Sequence, residues 1–137
     1  CGGLMYLCQK LRDFSGQTWS MVGVIPTTVI MSKSLTLGYR FAVAQQNSPF
    51  LRSKQTVWGH EFHHSQLTTK PIHPLWQFQA CEQYPAVKRQ GLRSLRQSTD
   101  NPTPEGWQIK RLHASYLHLH FGEYRELPQK FLDCCLI

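Results

Sequence analysis

The first residue of the chain, Cys1, carries a side chain suited to nucleophilic chemistry, and two glycines follow it. A thiol at the entry to a helix gains from backbone N–H groups, which stabilise first a thiolate and later an oxyanion. Gly2 and Gly3 let the backbone turn tightly and approach a substrate closely. A free cysteine is also often merely buried, so Cys1 alone is ambiguous. Its reading as a nucleophile requires a base that reaches it in space, from any position in the sequence.

A histidine-rich segment near the other end of the chain, residues 114–121, can supply that base. His118 and His120 alternate in it, so on a strand both would point to the same face. One of them would act as general base, because an imidazole titrates near neutral pH. The alternative is a pair of half-exposed histidines with no chemical role.

A second histidine cluster, residues 60–64, matches the zinc-protease pattern H-E-x-x-H. That pattern needs a helix, which places its first and last histidines on one face. Here a glycine and β-forming residues precede it, and these favour a strand. On a strand His60 and His64 share one face, while Glu61 and His63 share the other. A zinc hydrolase or zinc-binding module is therefore the alternative function.

The hydrophobic pattern predicts short strands between two terminal helices, and these elements would position the candidate residues. The predicted fold class is therefore α/β. The pattern weakens over residues 66–106, which we interpret as an insertion or a long loop region around one strand near Trp76 and Phe78. Pro128 suits the first turn of a closing helix. The predicted elements are a helix over 3–12, strands over 19–25, 35–43, 57–65, 107–112 and 113–121, and a helix over 127–132.

Length, charge and cysteine count narrow the function classes. At 137 residues the chain can form one domain. The net charge of +7 is concentrated over residues 86–97, and this run is interpreted as a solvated basic insertion rather than a nucleic-acid surface. We expect neither a signal peptide nor a membrane span. Five cysteines, two of them adjacent, indicate reduced thiols in the cytoplasm rather than a disulfide framework.

Four segments occur in an order that resembles a known family: residues 1–7, 37–40, 59–63 and 114–121. Together they are similar to the glutamine amidotransferase domain of cobyrinic acid a,c-diamide synthase. The resemblance implies a partial class I amidotransferase-like sheet of flavodoxin-like type with flanking helices, lacking its N-terminal strands. Residues 1–137 would form the C-terminal portion of that domain.

The resemblance assigns roles to residues of the four segments. Cys1 matches the cysteine that attacks the glutamine carboxamide and becomes a thioester. His118 matches the histidine that takes the thiol proton and returns it to leaving ammonia. The N–H of Gly2 would form half of an oxyanion hole. Glu61 and His63 match residues expected to border the glutamine pocket.

The group that orients His118 is not identified by the resemblance. Related triad amidotransferases carry a glutamate two residues after the catalytic histidine, whereas this chain has His120 there. His120 and Tyr116 are supporting candidates on the same segment. No metal site is expected.

Cofactors and partners are also implied by the resemblance. An ATP-binding synthetase domain, absent from these residues, would activate carboxylates of a corrinoid with ATP and Mg²⁺. The sequence contains no G-x-x-x-x-G-K-[ST] phosphate loop, so this segment is expected to bind no cofactor. Its expected partners are L-glutamine and, through the synthetase domain, a corrinoid or a related nickel tetrapyrrole, but neither nucleic acid nor a membrane. A homodimer of the full-length enzyme is consistent with the family resemblance. The segment alone is expected to be inactive.

Overall fold

One mixed sheet of seven strands and two short helices form the part of the chain that the computed structural model describes, residues 1–49, 51–79 and 102–136. The basic run 86–97 and much of the predicted insertion lie outside these ranges. In chain order the elements are α1 (Gly2–Leu7), β1 (Cys8–Arg12), β2 (Thr18–Ser20), β3 (Ile25–Ala44), β4 (Thr56–Leu67), β5 (Pro74–Gln79), β6 (Thr103–Ile109), β7 (Leu112–Ala114) and α2 (Glu126–Asp133).

The long strand β3 organises the sheet. The strand order is β2-β1-β3-β5-β6-β7, and β4 pairs with β3 outside this path. The β1–β3 pair is parallel and every other pair is antiparallel. On one edge of β3, β1 pairs with its first part and β5 with its last part, and β4 pairs along the opposite edge. The prediction of a partial flavodoxin-like α/β sheet is confirmed.

Two clusters of buried apolar side chains cover the sheet, and β3 contributes to both. Its first half places Ile25 and Val29 among the residues packed around α1 and β1. Its second half places Ala42 and Ala44 against β5 and α2. Each large apolar side chain that is fully buried stabilises the fold by about 1.5–3 kcal/mol relative to exposure. The remaining members are Leu4, Cys8, Trp107, Ala114 and Tyr116 in the first cluster and Leu51, Val57, Leu75, Trp76, Phe78, Leu117 and Leu127 in the second.

The predicted N-terminal helix over 3–12 is wrong beyond Leu7. Cys8 adopts an extended conformation and starts β1, which pairs with β3. The helix was predicted because Leu4, Leu7 and Leu11 are spaced for one helix face. Pairing of the backbone with a neighbouring strand outweighs that local preference. Cys8 is fully buried, and burial raises the pKa of its thiol to about 11, which makes it a packing residue.

Two other strand predictions need correction. The strand expected over 19–25 is limited to Thr18–Ser20, and Pro26 lies inside β3 instead of ending a strand. Proline is tolerated there because the β1–β3 register shifts between Cys8 and Lys10, beside it. The strand expected over 113–121 ends at Ala114, and a single β-bridge follows at His118.

The strand predicted over 107–112 is correct only up to Ile109, because residues 110 and 111 form a turn and Leu112 starts β7. Four other predicted elements are confirmed. The strand predicted over 35–43 lies within β3, the strand over 57–65 within β4, and the strand near Trp76 and Phe78 is β5. The predicted closing helix is α2, with Pro128 in its first turn. Within residues 1–49, 51–79 and 102–136, no helix has the length and apolar character that a membrane span requires.

Candidate active site

Strand β4 sorts the histidine cluster onto two faces. Glu61 and His63 are buried, whereas His60 and His64 are exposed, as the strand prediction requires. Four residues of strand separate His60 from His64 by about 13 Å, too far for one zinc ion to bind both. Among the described residues, no group of three His, Cys, Asp or Glu side chains is placed to hold a metal ion. The zinc alternative therefore finds no support in this part of the chain.

Cys1 is exposed at the N-cap of α1 and contacts β4. Its Sγ atom lies 3.7 Å from the backbone carbonyl oxygen of Phe62. Its own carbonyl accepts the first backbone hydrogen bond of the helix, from Met5 at 3.2 Å. Gly2 is the first helical residue, so its N–H belongs to the group that has no acceptor within a helix. The predicted nucleophile and the predicted oxyanion donor thus lie together at the start of α1.

His118 is fixed to β4 by three hydrogen bonds to one residue. The backbone N–H of His118 donates to the carbonyl of His60 at 2.9 Å, and the N–H of His60 donates back at 3.1 Å. The ring Nδ1 of His118 lies 3.0 Å from the same His60 carbonyl oxygen. Because a carbonyl oxygen only accepts, Nδ1 must carry the proton, which leaves the lone pair on Nε2. The His60 carbonyl thus orients the imidazole that the resemblance left without an orienting group.

The two predicted catalytic residues meet one edge of β4 at neighbouring positions. Carbonyls two residues apart in a strand point to the same side, and their spacing is about 6.6 Å. The His60 carbonyl contacts His118 and the Phe62 carbonyl contacts Cys1. The ring of His60 also stacks on the ring of His118, with centroids 4.8 Å apart and planes 20° apart. Cys1 and His118, which are far apart in the sequence, therefore contact the same edge of β4, opposite the edge that pairs with β3.

Glu61 and His63 belong to a polar network on the buried face of β4. Arg40 donates from Nε to Glu61 at 2.6 Å, and Nε2 of His63 lies 3.4 Å from the other Glu61 oxygen. Nδ1 of His63 donates to the carbonyl of Ser65 at 2.9 Å. Burial acts to raise the pKa of Glu61, but the hydrogen bond to His63 and the charge of Arg40 outweigh it, so this pKa is lowered. The predicted contact of Glu61 and His63 with glutamine stays a prediction.

The two supporting candidates on the His118 segment have different surroundings. Tyr116 is buried, stacks on His63 with centroids 3.8 Å apart, and shares a 2.7 Å hydrogen bond with the Ser65 hydroxyl. Burial raises the pKa of Tyr116 to about 12, so its phenol stays neutral. His120 is exposed, and the strand on which His118 and His120 were predicted to share a face does not form, because residues 119 and 120 have no strand conformation.

Comparison with known proteins identifies the family of the chain. Residues 1–126 match the sequence profile of the CobB/CobQ-like glutamine amidotransferase domain. The chain belongs to this family. Three similar relatives are each named cobyrinate a,c-diamide synthase: one from Synechococcus sp., 47% identical over 98% of this chain; one from Synechocystis sp., 38% over 99%; and one from Salmonella typhimurium, 38% over 96%. The chain spans about a quarter of the length of these relatives.

Three features of this amidotransferase domain were missed from the sequence. The His60 carbonyl gives no sequence signal, because every residue has a backbone carbonyl. The second feature is Glu105, which contacts the segment before His118. Its only sign in the sequence was a carboxylate next to Gly106, just before a predicted strand. The third feature is the closeness of the His118 segment to Gly59, which stands just before the H-E-x-x-H pattern.

Substitution of Gly59 by alanine should damage both stability and glutamine hydrolysis. A Cβ atom there would lie 2.6 Å from the carbonyl oxygen of His118 and 2.7 Å from Cδ1 of Leu117. The His118 segment would have to move, at a cost of about 1–3 kcal/mol in the free energy of unfolding. A displacement near 1 Å should also lower the rate of glutamate release about 10–100-fold. Thermal unfolding and a glutamate-release assay of the full-length gene product measure the two effects.

The matched stability control is Gly3→Ala, because no atom lies within 4 Å of a Cβ at that position. Alanine inside helix α1 should leave the free energy of unfolding unchanged or raise it by up to about 1 kcal/mol. Wild-type stability of the Gly59→Ala variant would contradict the close packing at this position.

Proposed function

We propose that this domain hydrolyses glutamine at Cys1, with His118 as general base, and supplies the ammonia for ATP-dependent amidation of the a and c side-chain carboxylates of cobyrinic acid. The observation that carries the proposal is the placement of Cys1 and His118 at neighbouring carbonyls on one edge of β4. Membership of the glutamine amidotransferase family supports the same chemistry.

The proposed reaction begins with transfer of the Cys1 thiol proton to Nε2 of His118. The thiolate attacks the carboxamide carbon of glutamine, and the oxyanion that forms accepts a hydrogen bond from the N–H of Gly2. The imidazolium then returns the proton to the departing nitrogen, so that ammonia leaves and a thioester remains. A water molecule, deprotonated by the same imidazole, attacks the thioester carbon, which releases glutamate and restores the thiol.

The Nδ1–H of His118 remains hydrogen-bonded to the His60 carbonyl throughout this cycle. That bond fixes the tautomer whose Nε2 accepts the thiol proton, and the carbonyl dipole favours the imidazolium that follows. A backbone carbonyl would thus take the orienting role that a carboxylate has in a triad.

The acceptor is proposed from the relatives, three of which are named cobyrinate a,c-diamide synthase. Since this chain has no phosphate-loop sequence, ATP and Mg²⁺ would bind to other residues of the full-length protein, as would the corrinoid. The reduced-thiol composition and the use of ATP support a cytoplasmic location.

Covalent labelling of the full-length gene product tests the nucleophile. A glutamine analogue with a diazoketone in place of the carboxamide should alkylate Cys1, and free glutamine should protect it. The internal control is Cys135, which is also exposed and free but lies beyond α2. Peptide mass mapping should show the adduct on Cys1 at one per chain. Equal labelling of Cys1 and Cys135, or labelling that glutamine does not slow, would contradict the proposal.

A further inference from the structure

We propose that Glu105 is a positioning residue that holds the segment before His118 in the register needed for glutamine hydrolysis. The proposal rests on the function proposed above, since it concerns how His118 is presented to Cys1. Glu105 lies on β6, outside the four segments that carry the family resemblance.

One carboxyl group ties together three consecutive residues. Oε1 of Glu105 accepts a hydrogen bond from the backbone N–H of Tyr116 at 2.8 Å. Oε2 accepts from the hydroxyl of Ser115 at 2.5 Å. The Ser115 oxygen in turn accepts from the backbone N–H of Leu117 at 2.9 Å. The backbone N–H of Tyr116 is thus satisfied by Glu105 directly, and that of Leu117 by the Ser115 hydroxyl that Glu105 holds in place, which fixes the chain up to the residue before His118.

This support is needed because the segment has no regular secondary structure. β7 ends at Ala114, and the next backbone pairing is the bridge between His118 and His60. Glu105 holds the near end of the segment and the His60 bridge holds the far end. Loss of the carboxyl group would leave the backbone N–H of Tyr116 and the hydroxyl of Ser115 without their acceptor in a partly buried place, which favours rearrangement of the segment.

The partly buried carboxyl group of Glu105 lies near the charged groups of Glu61 and His63. Burial raises the pKa of Glu105 to about 7, against the hydrogen bonds from Ser115 and Tyr116.

The two substitutions Glu105→Ala and Glu105→Gln in the full-length gene product test the proposal. Alanine removes both acceptors, and a shift of the His118 segment by about 1 Å should lower kcat for glutamine-dependent amidation about 10²-fold. KM for glutamine should change less than about threefold, because Glu105 is not proposed to contact glutamine. Glutamine at this position can accept from the Tyr116 N–H and donate to Ser115, so Glu105→Gln should recover kcat to within about fivefold of wild type.

Three controls separate positioning from general damage to the fold. Ammonia-dependent amidation should stay unchanged in both variants, because it needs neither Cys1 nor His118. Glu123→Ala, at an exposed position beyond the segment, should behave as wild type. Wild-type kcat in Glu105→Ala, equal losses with glutamine and ammonia, or no recovery in Glu105→Gln would each overturn the positioning role. If Cys1→Ala keeps full use of glutamine, the proposed function itself fails, and this outcome is distinct from the other three.

Discussion

Replacement of Cys1 by alanine in the full-length gene product should abolish glutamine-dependent amidation while leaving ammonia-dependent amidation close to wild type. Without the thiol no thioester forms, and loss of a covalent nucleophile costs about 10⁴-fold or more in kcat. The variant should fold normally, because Cys1 is exposed at the start of α1 and packs in neither apolar cluster. The measurement is the rate of amidated product formation with glutamine divided by the rate with ammonium salt, for the variant and the wild type side by side.

Cys135→Ala is the matched control, since it removes another exposed free thiol. It should keep both activities. A Cys1→Ala enzyme that still used glutamine at more than a few per cent of the wild-type rate would disprove the nucleophilic role.

Replacement of His118 by alanine should lower kcat with glutamine about 10²–10⁴-fold, which is the usual contribution of a positioned general base. The effect should appear mainly in kcat, because the imidazole is proposed to move protons rather than to bind glutamine. The rate of Cys1 alkylation by the diazoketone analogue should fall as well, since the thiol loses its proton acceptor. Steady-state kinetics and labelling rates measure the two effects independently.

His64→Ala is the control for this substitution, because His64 is exposed on β4 and completes the H-E-x-x-H pattern. It should leave glutamine use unchanged. A large loss in His64→Ala, together with wild-type activity in His118→Ala, would favour the histidine cluster of β4 over the proposed dyad.

Much of the fold follows from local sequence pattern. The pattern over residues 35–43 was sufficient to predict the second half of β3, that over 57–65 predicted β4, and Pro128 marked the first turn of α2. The prediction was wrong where pairing with distant residues decides the conformation. Residues 8–12 have helical spacing, yet they form β1 because β3 offers a parallel partner. Such a partner is invisible to any window of neighbouring residues.

The sequence was sufficient to propose the reacting groups of the candidate site, but not the groups that support them. The thiol of Cys1 and the imidazole of His118 were identified by residue type and family resemblance. The orienting acceptor was not, because it is the backbone of His60 and no side chain marks it. Glu105 was missed for a related reason: its partners are the hydroxyl of Ser115, ten residues away, and the backbone N–H of Tyr116, eleven residues away, brought close by the β6–β7 turn.

Tyr116 and Leu117 are consecutive residues, yet the first packs in one apolar cluster and the second in the other. The stretch leading to His118 is thus held by packing in both apolar clusters before any substrate arrives. The segment loses its conformational entropy once, when the chain folds, so it does not have to be ordered again in every catalytic cycle. The imidazole is in this sense preorganised, and the free energy of glutamine binding need not be spent on ordering it.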